Sequence, residues 1–155
     1  VIKSPKVYFH DTGLVSHLLG IENPDQARRD PLRGGLYENV IILEILKYLH
    51  NRGERPDLYF YRDTHGNEVD LIIRRRRTLI PVEIKSAATF TEGFLKGIER
   101  FRGLVGDRAQ DGCVLYDGVE RFRVKGVSVE NILLHGGVKE ILGAETGDRF
   151  AGESP

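Results

Sequence analysis

Between residues 58 and 85, three short apolar runs follow one another with only turns between them, and this most restricts what the chain can fold into. The runs at 58–62, 68–74 and 79–85 mix β-branched, aromatic and polar residues in alternation. They have the length of strands. Thr64-His65-Gly66-Asn67 supplies turn chemistry between the first two, and residues 75–78 turn between the second and third. Before them, residues 35–51 read as a long helix stopped at Gly53, with Glu38, Ile42, Ile45, Leu46 and Leu49 along one stripe. After them, helical periodicity returns over 91–104, with Phe94, Ile98 and Phe101 on one face. Strands at 113–116 and 122–124 follow, with Gly118 between them. The order α-β-β-β-α-β-β predicts an α/β domain with a mixed central sheet, antiparallel at its start and flanked by helices.

The flanks read more simply. Residues 6–9 predict a short strand, and Asp11 or Thr12 caps a short helix that runs through Leu19 and ends at Gly20. Residues 22–34 are polar and read as a connector. Residues 132–142 predict a last helix, although Gly136-Gly137 argues against it. Residues 144–155 are expected to be disordered.

The 155 residues suffice for one domain with a core. No run approaches the roughly 20 apolar residues that span a bilayer, and no secretory signal is visible. Cys113 is the single cysteine; flanked by Gly112 and Val114-Leu115-Tyr116, it reads as a buried structural thiol in a reducing cytoplasm. Acidic and basic residues balance at 23 each, which counts against constitutive tight DNA binding. Arginine makes up 16 of the 23 basic residues, and arginine suits phosphate recognition. The chain starts at Val1 and holds no methionine, which reads as a piece of a longer protein.

Within the three-strand region, Val82 and Ile84 face one way and Glu83 and Lys85 the other. Asp70 on the preceding strand adds a carboxylate, and Glu38 lies in line with the apolar stripe of the long helix. Two carboxylates and a lysine on neighbouring strands can hold a divalent metal and polarise a phosphodiester. Each residue also has a plainer reading. Glu83 and Lys85 could be a same-face ion pair on a half-exposed strand. Asp70 could face solvent with Glu68, and Glu38 could be an acid at a solvated helix start.

Arg74-Arg75-Arg76-Arg77 could grip phosphates, but at a hairpin tip it reads better as a solvated turn that blunts an exposed edge. Arg62 is the better phosphate candidate, because it closes the strand beside Asp70. His10, His17, His50, His65 and His135 form no zinc pattern, and no P-loop, dinucleotide fingerprint or nucleophile-elbow serine is present.

The order Glu38, Asp70, Glu83-Ile84-Lys85 resembles the core of the PD-(D/E)xK phosphodiesterases, the restriction-endonuclease-like superfamily. More closely, the chain resembles the C-terminal domain of unknown function attached to many prokaryotic AAA-type ATPases. That resemblance covers about residues 3–130. It is carried by Lys6-Val7-Tyr8-Phe9-His10-Asp11-Thr12-Gly13-Leu14, Gly35-Leu36-Tyr37-Glu38-Asn39, Tyr59-Phe60-Tyr61-Arg62, Asn67-Glu68-Val69-Asp70-Leu71-Ile72 and Val82-Glu83-Ile84-Lys85-Ser86.

The resemblance implies an N-terminal arm and linker from an ATPase module at 1–30 and a restriction-endonuclease-like core at 31–130, to which the residue pattern adds a C-terminal helix at 131–143 and a disordered tail at 144–155. It implies that Asp70 and Glu83 ligate Mg²⁺ or Mn²⁺ with help from the Ile84 carbonyl. Lys85 would orient or activate the attacking water, and Glu38 would hold a metal-coordinated water or a second ion. Val69 stands where the superfamily often has proline. The implied activity is Mg²⁺-dependent hydrolysis of a phosphodiester, with DNA as substrate and the ATPase as partner in cis, ATP being bound only by that module. The implied location is cytoplasmic, with no membrane partner and self-association open. The rival expectation is a catalytically inactive module that recognises nucleic acid or protein, or serves in assembly of the ATPase.

Overall fold

The structure is a computed structural model and describes residues 5–139 and 141–142. Helices α1 (Thr12–Leu18), α2 (Pro24–Arg29) and α3 (Arg33–Asn51) precede strands β1 (Leu58–Arg62), β2 (Glu68–Arg75) and β3 (Thr78–Lys85). Helix α4 (Lys96–Val105) then leads to β4 (Cys113–Tyr116), β5 (Phe122–Val124) and β6 (Val127–Glu130). The six strands form one mixed sheet in the order β1-β2-β3-β4-β6-β5. β1, β2 and β3 are antiparallel neighbours, β4 runs parallel to both β3 and β6, and β5 returns antiparallel to β6. The expected mixed α/β sheet with an antiparallel start is therefore present.

Alternation along β4 fixes the layers. Cys113 and Leu115 bury against Ile41, Ile42, Ile45 and Leu49 of α3, together with Leu71, Ile73, Ile80, Val82 and Ile84. Val114 and Tyr116 bury against Leu95 and Ile98 at α4, together with Val127 and Val129. Successive strand residues point to opposite faces, so α3 and α4 cover opposite faces of the sheet. Cys113 is buried in the first of these layers, and burial pushes its thiol well above the usual range, as expected of a structural cysteine.

Several expectations are corrected. Residues 6–9 form no strand and join no ladder among the described residues; the side chain of Asn39 meets the main chain of Phe9 instead. It accepts from the Phe9 N–H at 2.8 Å and donates to the Phe9 carbonyl at 2.8 Å. The connector at 22–34 contains α2, started by Asn23, whose side chain accepts from the Gln26 N–H, and by Pro24 at the first turn. A sixth strand, β6, pairs with β5 through a turn at Lys125 and Gly126, both at positive φ. Such mirror-image turns suit the twist of a hairpin, but Asn or Asp usually holds the first position. The helix expected at 132–142 is not formed among the described residues. Turns stand there, with Gly136 and Gly137 at φ 102° and 83°, a region no right-handed helix uses. The expected tail at 144–155 lies outside the described residues. Among the described residues, no helix is long and apolar enough to cross a membrane.

Candidate active site

A break in the β1–β2 ladder positions the acids. Tyr59 pairs with Ile72 but Tyr61 pairs with Val69, so Phe60 alone stands against both Asp70 and Leu71. One extra residue in a strand bends it and re-aims its side chains. Val69 consequently packs with Ile72 and Phe101, although regular alternation would put Val69 and Ile72 on opposite faces. The Asp70 carboxylate comes to lie where the β2–β3 ladder ends. Its Oδ2 accepts from the Ile84 main-chain N–H at 2.9 Å.

Asp70 joins two groups of charges. On one side, Lys85 Nζ lies 3.4 Å from Asp70 Oδ2 and 2.6 Å from Glu83 Oε1, so both acids lie within reach of one cation. On the other side, Lys6 Nζ of the N-terminal arm lies 2.7 Å from Glu68 Oε1, 3.1 Å from Glu38 Oε1 and 3.8 Å from Asp70 Oδ1. Tyr8 donates its hydroxyl to the same Glu38 oxygen at 2.6 Å. Arg62 closes the far side of Glu68 through Nη2 and Nε, at 2.8 and 3.1 Å.

Glu38, Asp70, Glu83 and Lys85, the four expected site residues, are thus brought into one cluster. Arg62 borders it but spends its guanidinium on Glu68. Arg74 pairs with Asp57 and lies over the Tyr59 ring, and Arg75 pairs with Glu54. Arg76 and Arg77 form the β2–β3 turn. Arg76, in the turn after β2, is six positions from Asp70, roughly 20 Å of strand, so Arg76 and Arg77 sit at the opposite end of β2 from the acids.

Lys6, Tyr8 and Glu68 are members of the cluster that site reasoning from sequence did not select. Their signal was i, i+2 spacing: Lys6 and Tyr8 both reach Glu38, and Glu68 and Asp70 of β2 both reach Lys6.

The electrostatics follow from burial and crowding. Glu83 is buried, and its Oε2 has no hydrogen-bond partner among the described residues. Burial first, and then the charge of Asp70, push its carboxyl up to about 7 against the pull of Lys85. Burial works against both lysine ammoniums. Glu68 and Glu38, with the charge of Asp70, outweigh it at Lys6, and Asp70 and Glu83 outweigh it at Lys85, so both lysines end above their ordinary value. Burial also opposes ionisation of Glu68, but Lys6 and Arg62 hold its carboxyl below the usual range. Gly97 lets α4 come close: a Cβ there would stand 2.5 Å from the Glu68 carbonyl oxygen and 3.2 Å from Glu83 Oε2.

Four carboxylates of this kind are the donors that hard divalent cations prefer, and the partnerless Glu83 oxygen is a free ligand atom. The donor set therefore fits Mg²⁺ or Mn²⁺. It is not a finished cage: among the described residues, no three acids, histidines or cysteines are gathered as metal ligands. Lys6 and Lys85 stand between the acids instead.

The structure is thus a mixed α/β domain in which Asp70, Glu83, Lys85 and the helix residue Glu38 gather in one cluster. Residues 33–134 match the family described as Domain of unknown function (DUF4143), and the chain belongs to that family. It is also 30% identical over 144 residues to uncharacterized proteins of Mycobacterium bovis and Mycobacterium tuberculosis, covering 90% of this chain. The chain spans 31% of the length of these curated relatives.

Proposed function

We propose that this is a restriction-endonuclease-like domain whose acid cluster binds a divalent metal and acts on, or binds, nucleic acid. The observation that carries this is the single ammonium of Lys85 held between Asp70 and Glu83, 3.4 and 2.6 Å away. It joins in space the Asp and Glu-x-Lys elements that the sequence only sets in order. Asp70 and Glu83 would hold the ion. A bound Mg²⁺ or Mn²⁺ would supply Lewis-acid stabilisation of the phosphoryl oxygens. Lys85, already a hydrogen-bond donor at this point, would orient the attacking water and offset charge on the phosphoryl group. Glu38 approaches Asp70 through their shared contact with Lys6, which suits it to hold an outer water.

The domain would work in cis with an AAA-type ATPase module. Resemblance supports that link, and relatives about three times as long leave room for such a module. A second reading, a catalytically inactive recognition or assembly module, is favoured by one observation: Lys6 already neutralises Glu38 and Glu68.

The test is cleavage of single- and double-stranded DNA with Mg²⁺ or Mn²⁺ by the domain and by Lys85→Ala, with metal binding followed by calorimetry. Cleavage lost in Lys85→Ala, and binding lost in Asp70→Asn and Glu83→Gln, is expected. Metal binding indifferent to both acid substitutions would end the enzyme reading and leave the recognition module.

A further inference from the structure

Lys6 stands where an acid cluster would hold a cation. Its ammonium meets three carboxylates from two elements, Glu38 on α3 and Glu68 and Asp70 on β2. It also lies over the Phe60 ring, 5.6 Å from its centre. It arrives on a segment that pairs with no strand among the described residues. Asn39 fastens that segment, pairing with both main-chain groups of Phe9 and donating to Thr12 Oγ1 at 2.9 Å. Asn39 is itself buried and immediately follows Glu38 on α3, so fastener and acid cluster lie on one helix turn. Beside the arm is a cavity of about 260 Å³ lined by Lys6, Tyr8, Ile42, Tyr59, Phe60 and Asp70, which leaves space next to the lysine.

We infer that the arm is a tethered counter-ion: Lys6 closes the acid cluster to a divalent cation, and Asn39 holds it there until the arm is displaced. This rests on the metal-binding reading above. The Lys6 ammonium lies 3.1 Å from Glu38 Oε1 and 3.8 Å from Asp70 Oδ1, so a divalent ion held by Asp70 would meet its charge at close range, and arm docking opposes metal entry. The tether gives Lys6 an effective concentration that free ions must overcome, of order millimolar for a short flexible link. Release of the arm would then be the event that arms the site.

The test uses MnCl₂ alone as probe on the 155-residue chain and two variants. Lys6→Gln keeps a hydrogen-bond donor on a side chain one atom shorter but removes the charge. Asn39→Ala frees the arm without touching any acid. Calorimetry should show both variants binding Mn²⁺ more tightly than the parent, by roughly tenfold, within the ordinary range of coupling between sites. Hydrogen exchange on the parent should show Mn²⁺ accelerating exchange at the Phe9 amide, with circular dichroism unchanged in all three proteins. Equal Mn²⁺ affinity in the three, or binding with no change at Phe9, would overturn the tethered counter-ion and leave metal binding standing. Absence of Mn²⁺ binding in all three would overturn both.

Discussion

Asp70 accepts the main-chain N–H of Ile84 through Oδ2 at 2.9 Å, so a side chain continues the β2–β3 ladder past its last backbone pair, Leu71 with Val82. This gives Asp70 a structural duty separable from its charge. Asp70→Asn keeps an oxygen for the Ile84 N–H and should cost about 1 kcal/mol, whereas Asp70→Ala leaves that donor unmet and should cost about 1.5–3 kcal/mol. Urea unfolding of the two variants measures the difference. Both should lose divalent-metal binding alike. Equal stability of the two would show that the hydrogen bond is not what the carboxylate provides.

Glu83 makes stability depend on pH in an unusual direction. Its folded carboxyl titrates near 7, against an ordinary value of 4.5. Between those values the folded protein keeps a proton that the unfolded chain has released. The stability Glu83 contributes is therefore full below pH 4.5 and is lost as pH rises through 7. Glu83→Gln removes the titration and keeps the shape. Relative to it, the parent should lose on the order of 1–3 kcal/mol between pH 4.5 and pH 8, read from urea midpoints. Parallel pH profiles for parent and variant would show that Glu83 titrates as an ordinary glutamate.

Helix α4 offers an internal comparison of two glycines. Alanine favours a helix over glycine by about 1 kcal/mol. At Gly103 a Cβ would meet nothing within 4 Å, so Gly103→Ala should stabilise by about 0.5–1 kcal/mol. At Gly97 the same carbon would meet the Glu68 carbonyl oxygen at 2.5 Å, and backbone cannot swing aside. Overpacking of this kind costs about 1–3 kcal/mol and outweighs the propensity gain. Thermal denaturation should move in opposite directions for the two variants. A Gly97→Ala protein as stable as Gly103→Ala would mean that α4 can sit farther from Glu83 without loss.

How far the sequence could be read depends on what held each element in place. β1 to β3, α3 and the core of α4 follow from periodicity and turn chemistry, which are local. The convergence of Asp70, Glu83 and Lys85 was legible because β2 and β3 are joined by a short turn, which forces them to be neighbours. What escaped was non-local. The ladder break opposite Phe60 leaves no residue signature, so nothing local re-aims Asp70. Residues 6–9 have strand composition, but a side chain of α3, not a strand, meets their backbone. Lys6 is an isolated lysine in the sequence and acquires meaning only from acids about 30 and 60 residues away. The Lys125-Gly126 turn hid β6 because lysine is an uncommon first residue in a mirror-image turn.

On the proposed nucleic-acid reading, the arginine run tests whether charge near the acids or charge anywhere would govern that binding. Arg76 sits at φ 54°, a region that glycine enters without steric penalty, so Arg76→Gly should stabilise the turn by about 0.5–1 kcal/mol. Arg77→Gln removes a second charge from the same turn. These groups lie roughly 20 Å along β2 from Asp70, and screening at physiological salt acts over about 8 Å. The double variant should therefore bind divalent metal like the parent. It should retain most of the affinity for a short DNA measured by fluorescence anisotropy in Ca²⁺. Lys85→Ala, acting at the cluster, should weaken that affinity severalfold. If the hairpin variant lost as much DNA affinity as Lys85→Ala, the nucleic acid would have to run along the whole length of β2 and β3, and the arginine turn would belong to its binding surface.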